Sequence, residues 1–321
     1  MSSVNNQAQW IRTATLVVYQ GEQGLDLSQM HFKFRVLQND LNSPNNAEIV
    51  VYNLQQSTAN LIQAEYSQVT LSVGYQDGSS GVIFQGNIKQ FKKGRERNVD
   101  NYLTILAADG DIQHNFGIVN TNLPAGSTPQ QQIEAAAAAA GMGVGYMPGT
   151  VSGGALIRGK VLHAMPRAIL RDVTKSQQMS WSIQNGELVV IPLTGYLPDE
   201  AVVLNSLTGM IGIPEQTDNG ITVRSLLNPK LKIGGQLQIN NKQINQTVGA
   251  AGVNANLGSG QLAFNSYFGV QQLANVTADG IYRIFVVEHT GDTRGTEWYS
   301  DITCLSLTPT NSAQLTCAAY G

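Results

Sequence analysis

The chain has 321 residues, enough for two or three domains that each bury a core. Its 19 Lys and Arg against 22 Asp and Glu give a net charge of −3, which offers no footprint for gripping a nucleic-acid backbone and disfavours dedicated DNA binding. Only 13% of residues are charged while 26 are Asn and 29 are Gln, so much of the polar surface is neutral amide, far cheaper than an ion to bury against a permanent partner. The opening Met1-Ser2-Ser3-Val4-Asn5-Asn6 lacks the basic start and apolar centre of a secretory signal. No run approaches eighteen apolar residues, so a soluble chain with no membrane contact is expected. Cys304 and Cys317 have neither zinc-site nor disulfide-framework spacing and are expected to be reduced.

From Trp10 to about Asp111 the pattern is that of half-buried antiparallel strands, as in Phe32-Lys33-Phe34-Arg35-Val36 and Tyr102-Leu103-Thr104-Ile105-Leu106. A short helix is predicted over Leu54 to Ala64, capped by Ser57 or Thr58. The period then changes. Ser127-Thr128-Pro129 followed by Gln130 to Ala140 and Gly141 has a hydroxyl cap, a first-turn proline and a closing glycine, and predicts a helix. A second helix is predicted from Pro166 to Lys175, with Ile169, Leu170 and Val173 on its apolar side. Met179 to Ile183 and Glu187 to Ile191 flank Asn185-Gly186, the pair that suits the positive φ angles of a type I′ turn, and predict a hairpin. A small α+β domain is expected here. Asn240 to Ala278 is a weakly patterned insertion rich in Asn, Gln, Gly and Ala, expected to dock on that domain.

One β-rich unit recurs. Ala47 to Leu54, Val69 to Gly74 and a hairpin from Val82 to Ile105 are followed, in the same order, by Asn219 to Leu226, Gly235 to Ile239 and a hairpin from Ile281 to Ile302. Aligned residue by residue, Gly94 falls on Gly291, Arg97 on Arg294, Tyr102 on Tyr299 and Ile105 on Ile302, with Asp100 opposite Glu297. Four identities are compatible with independent hairpins; the common order of three segments favours duplication. A trimer of such a chain presents six similar units and could join a six-fold structure to a three-fold one.

Thr208 to Pro229 (TGMIGIPEQTDNGITVRSLLNP) and Asp279 to Trp298 (DGIYRIFVVEHTGDTRGTEW) resemble the baseplate hub proteins of contractile-tailed bacteriophages. So do NAEIVVYNLQ (Asn46 to Gln55), VTLSVGYQDG (Val69 to Gly78), VIFQGNIKQF (Val82 to Phe91) and SWSIQNGELVVIP (Ser180 to Pro192), which extend the likeness over about Trp10 to Leu307. The resemblance implies a mainly β fold with an α+β insertion, in which two tube-like antiparallel β-domains of barrel or sandwich type accompany a small α+β domain. The expected boundaries are 1–112 for the first β-domain, 113–205 for the α+β domain with 240–279 packed on it, 206–239 and 280–310 for the second β-domain, and a tail at 311–321. It further implies a homotrimer forming a pseudo-hexameric ring in a virion baseplate assembled in the host cytoplasm. Its implied partners are the tail tube or tube-initiator protein, the central spike, the tape-measure protein and the baseplate wedges, with only transient passage of DNA. The short segment after Leu307 leaves little material for a separate spike-binding domain.

Chemistry is thin. Asp109-Gly110-Asp111 could supply metal ligands but reads as a turn at a strand end. His289 with Asp292 looks superficially like a base with an orienting carboxylate, yet a hairpin turn with an Asp292–Arg294 contact explains it as well. No nucleophile elbow or phosphate-cradling glycine loop is present, so no catalytic residue, metal or cofactor is expected. The candidate functional residues are two hairpin tips expected to project and make inter-ring contacts: Lys92, Lys93, Gly94, Arg95 and Arg97, and His289, Gly291, Asp292 and Arg294. Competing readings are a receptor- or carbohydrate-binding tail-tip protein, which 7% aromatic content supports poorly, a tail-associated cell-wall hydrolase, and the hub of a tail-like bacteriocin or injection system.

Overall fold

The computed structural model describes residues 9, 11–40, 43–96, 99–149, 151, 153–217, 220–240, 244 and 280–307. Arg97, Cys317, the tail from 308 onward and all of the expected insertion except Asn240 and Ile244 lie outside the described residues. Strands β1 (Arg12–Gln20), β2 (Gln23–Asp26), β3 (Phe32–Asn39) and β4 (Asn46–Tyr52) precede helix α1 (Gln56–Glu65). Then come β5 (Gln68–Tyr75), β6 (Ser80–Glu96) and β7 (Asp100–Ala108). The middle of the chain forms α2 (Asp111–Asn115), β8 (Val119–Leu123), α3 (Pro129–Ala139), β9 (Gly143–Tyr146), β10 (Lys160–Ala164), α4 (Pro166–Ser176), β11 (Met179–Gln184) and β12 (Glu187–Pro192). The last stretch forms β13 (Val202–Leu204), β14 (Met210–Thr217), β15 (Gly220–Leu226), β16 (Gln236–Ile239), β17 (Ile281–Asp292) and β18 (Trp298–Leu305).

Alternation decides the strands. On β3 the rings of Phe32 and Phe34 and the Val36 side chain are buried, while Arg35 is exposed and Lys33 half-buried; on β18 Trp298, Ser300, Ile302 and Cys304 face inward. Thr128 caps α3 as its hydroxyl predicts: Oγ1 accepts from the Gln131 N–H at 3.3 Å, and Gln131 Oε1 accepts from the Thr128 N–H at 3.0 Å. The expected cap of α1 is corrected. The helix starts at Gln56 with Gln55 as cap, so Ser57 and Thr58 lie inside its first turn, and no side chain caps it. Asn185 and Gly186 have φ of 54° and 83°, as a type I′ turn requires.

A 13-stranded sheet runs in the order β14-β15-β18-β17-β3-β4-β7-β6-β5-β1-β2, with β16 paired to β17 and β13 to β16. Two halves of this sheet repeat one arrangement. The order β3-β4-β7-β6-β5 is matched by β14-β15-β18-β17-β16, with the same antiparallel pairing. Both long hairpins carry a one-residue register shift at the same place, after Ile88 on β6 and after Ile284 on β17. The row Ile49–Ile105–Phe91 in the first half corresponds to Val223–Ile302–Val287 in the second.

This register corrects part of the sequence alignment. The matches of Tyr102 with Tyr299 and Ile105 with Ile302 hold. On the other arm of the hairpin, however, Gly94 pairs with Tyr102, and it is Thr290 that pairs with Tyr299. Gly94 therefore corresponds to Thr290 and Arg95 to Gly291. The cause is the connecting turn: three residues separate Glu96 from Asp100, whereas four separate Asp292 from Glu297, and each of these pairs closes its hairpin.

Among the described residues three large apolar cores form. The first gathers Leu16, Phe32, Ile49, Ile62, Leu71, Leu103 and Ile105; the second packs α3 and α4 on β11 and β12 around Ile133, Leu170, Trp181 and Val190; the third gathers Val223, Leu237, Tyr282, Val287 and Ile302.

Candidate functional site

The two halves meet where β17 pairs antiparallel with β3, from Val286 opposite Asn39 to Asp292 opposite Lys33. Through this seam one continuous sheet passes from the second half into the first. On its exposed face Arg35 donates to Glu288 across the seam, Nε to Oε1 at 2.5 Å. Glu288 also lies opposite Asp301, which accepts a two-pronged ion pair from Arg224 at 2.7 and 2.9 Å.

The tip of the second hairpin is clasped by the first half. Asp292 Oδ1 lies 2.8 Å from His31 Nε2 and accepts the backbone N–H groups of Arg294 and Gly295 at 2.9 and 2.8 Å, while Lys33 Nζ stands 3.7 Å from Oδ2. Burial opposes ionisation of Asp292, but the Arg294 N–H, the His31 ring and the Gly295 N–H outweigh it and hold the carboxyl below its ordinary range. Arg12 donates to the carbonyls of Gly295 and Thr296 at 2.8 and 3.0 Å and lies over the Trp298 ring at 5.5 Å. Phe34 packs edge-on against Trp298, 5.5 Å between centroids, in the space that Gly291 leaves by lacking a side chain.

These positions correct the expectation of two alike, projecting tips. Lys92, Lys93 and Arg95 are exposed on β6, with Gly94 half-buried between them. Gly291 is buried and Asp292 nearly so, and only Arg294 of the second set is exposed. His289 is 1% exposed, its Nδ1 2.8 Å from Ser300 Oγ, and burial pulls its pKa down to about 4. His289 and Asp292 thus have separate partners and do not form a base with an orienting carboxylate.

Elsewhere, Asp109 receives the N–H groups of Asn185 and Gly186 at 2.6 and 2.9 Å, fastening the tip of the β11–β12 hairpin to the end of β7. Burial raises its pKa to about 6 against those two hydrogen bonds. Cys304 is buried and free among the described residues, and burial pushes its thiol up.

A buried cluster that the sequence reading missed joins all three cores. Arg283 of β17, 0% exposed, donates to Asp40, to Ser180 Oγ at 2.8 Å and to the carbonyls of Pro192, Leu193 and Gly195 at 2.8, 3.2 and 3.4 Å. Ser180 Oγ also donates to Asp40 Oδ2 at 3.2 Å, and the Asp40 N–H donates to the Phe285 carbonyl at 3.0 Å. Its only sequence signal is a lone charge in the apolar run Ile281-Tyr282-Arg283-Ile284-Phe285-Val286-Val287.

The geometry is therefore that of two β-units locked edge to edge. A family model described as baseplate hub gp41 matches residues 13–253 of the chain. The chain belongs to this baseplate hub family. Solved structures agree in fold with the hub: the 43 kDa tail protein of prophage MuSo2 from Shewanella oneidensis matches at 8% identity and a TM-score of 0.56, over 94% of this chain and 98% of that one. The tail protein from Neisseria meningitidis MC58 matches at 8% identity and a TM-score of 0.53, over 92% and 97% of the two chains. The E. coli c3393 protein, a type VI secretion component with structural similarity to the T4 bacteriophage tail proteins gp27 and gp5, matches at 9% and 0.51, over 92% and 77%. No curated protein matches the sequence. The chain thus belongs to a baseplate hub family and shares its fold with phage-tail proteins, and among its described residues no helix is long and apolar enough to cross a membrane.

Proposed function

We propose that three copies of this hub close into a ring of six β-units at the tip of a contractile tail, mating the six-fold tail tube on one side to the three-fold central spike on the other. The observation that carries this reading is the repeat of strand order and pairing in the two halves, joined by one edge-to-edge seam. A protein with two like units per chain converts three-fold into approximate six-fold symmetry without any further component. The role is structural rather than enzymatic. Tape-measure protein and, transiently, DNA would pass through the ring, and baseplate wedges would surround it.

The units run 1–112 and 206–239 with 280–310, and the α+β domain, 113–205, is held on both by Asp109 and Arg283. The hub of an injection system or tail-like bacteriocin is the second reading, favoured by the fold shared with the type VI secretion component c3393. Native mass spectrometry of the protein released from purified particles tests the hub reading: a complex of three chains supports it, and any other stoichiometry contradicts it.

A further inference from the structure

One corner of the α+β domain is apolar and cationic at once. Ile112, Phe116, Ile118 and Met165 all stand exposed there, Phe116 at 74%. Three features of the backbone bring them together. Ile112 and Phe116 lie one turn apart at α2, where the Phe116 N–H donates to the Ile112 carbonyl at 2.9 Å. Gly117 passes so close to the start of α4 that a Cβ on it would lie 3.1 Å from Pro166. Ile118 and Met165 flank the pair Val119–Ala164 at the end of the β8–β10 ribbon, one just before β8 and the other just after β10. Single exposed apolar side chains are ordinary, but four gathered at one corner mark a contact surface.

The patch borders a hollow of about 510 Å³ lined by His114, Met165, Arg167, Ala168, Arg171 and Trp181. The His114 ring is stacked on the Trp181 indole, 6.0 Å between centroids and 30° between planes. Trp181 is buried, and its Nε1 has no acceptor among the described residues, a donor still unmet. On α4 the spacing from Met165 through Arg167 and Ala168 to Arg171 sets these four side chains along one side of the helix. No carboxylate lines the hollow among the described residues. Arg167 donates to Asn115 Oδ1 at 2.9 Å, and Arg171 makes no hydrogen bond or ion pair among the described residues. Asp111 of α2 is already held by Lys89 at 2.9 Å and by Asn115 at 2.7 Å. Two guanidinium groups one turn apart repel each other until an anion lies between them.

We propose that this corner receives an acidic segment of another tail protein, one of whose apolar side chains enters the hollow while neighbouring carboxylates pair with Arg167 and Arg171. The planar fork of a guanidinium matches a carboxylate with two parallel hydrogen bonds, which fixes direction as well as strength. Aromatic residues, Met and Arg are also the side chains that interface centres favour. Charge rules against the chain's own remaining segments as the occupant: residues 1–8, 241–279 and 308–321 contain no Glu, and Asp279 is their sole Asp. It rules equally against a second copy docking through the same corner, which would set arginine against arginine. The surface belongs to the α+β domain, so it serves the hub whatever the number of copies in the ring.

The test uses intact tails assembled with full-length hub that carries the photo-crosslinker p-benzoylphenylalanine in place of Phe116; after irradiation the linked peptides are read by mass spectrometry. The expected result is a link to a protein other than the hub, at a segment with at least two Asp or Glu beside an apolar residue. Arg167→Glu with Arg171→Glu should then lower the linked yield about tenfold, because attraction becomes repulsion, and Asp or Glu to Lys changes in the linked segment should restore it. Far-ultraviolet circular dichroism of the purified variants shows whether they fold. If the double reversal does not, Arg171→Glu alone, at an exposed side chain, should still lower the yield about threefold. A folded variant that no longer enters tails counts as complete loss, and the same charge changes in the partner should bring it back. Links only to another hub copy, within the chain itself, to DNA or to a segment without carboxylates would overturn the proposal. So would no link at all, a yield that charge reversal leaves unmoved, or a loss that the partner's reversal does not repair.

Discussion

Replacing Arg283 by Met should cost the hub about 3–5 kcal/mol, because it removes one partner of a fully buried ion pair and leaves the other without compensation. Asp40 is 2% exposed and would keep only Ser180 Oγ as a side-chain donor, while the carbonyls of Pro192, Leu193 and Gly195 lose the guanidinium they share. The double variant Asp40→Asn, Arg283→Met removes the stranded charge and should recover about half of the loss, though not all, since those carbonyls stay without their donor. Urea unfolding followed by the fluorescence of Trp298 in the first core and Trp181 in the second, both buried, reads two of the joined cores in one experiment. Since Arg283 also ties the segment after β12 to β17, the single variant should be cleaved faster by protease between Leu193 and Glu200. A single variant within about 1 kcal/mol of the parent, or a double variant no more stable than the single, would refute the reasoning that this pair holds the three cores together.

Burial holds neutral His289 at about 4, below its ordinary 6.5, so about 3 kcal/mol of stability should be lost as pH falls from 6.5 to 4. Burial raises Asp109 from 3.8 to about 6, so its contribution runs the other way, about 3 kcal/mol gained over nearly the same fall. Urea titrations across this range should show these two effects offsetting in the parent, with His289→Gln gaining stability on acidification and Asp109→Asn losing it; parallel slopes in all three proteins would contradict both assignments. Gly291→Ala should cost about 1–3 kcal/mol, because a Cβ there meets the buried Phe34 ring at 2.3 Å and Trp298 at 2.9 Å. Gly94→Ala should cost less, since the half-exposed Tyr102 ring in its way can swing outward, and thermal melts of the two variants give the comparison.

The repeat was legible because burial imprints a two-residue period on each strand, and because three segments recur in one order. The capped helix after Thr128 and the Asn185-Gly186 hairpin were legible from local backbone chemistry alone. What periodicity does not carry is the identity of an edge's partner, since backbone N–H and C=O groups are the same at every residue. The β3–β17 seam joins residues some 250 positions apart, and nothing in either strand names the other. The one-residue offset between Gly94 and Thr290 came from a tip one residue longer, invisible to an alignment that matched both glycines. His289 and Asp292 read as an exposed tip because Gly291-Asp292 resembles a turn, whereas the turn begins after Asp292 and its carboxylate caps it. Arg283 escaped notice because a lone cation in an apolar strand takes its meaning from an acid 243 residues away.

The measurement that tests the account most directly is an electron cryomicroscopy map of the hub in the intact tail. Three chains should encircle the axis, with six β-units about 60° apart, alternating first and second halves. A map with six copies of the chain, or with three copies whose first and second halves lie at different levels along the axis, would contradict it.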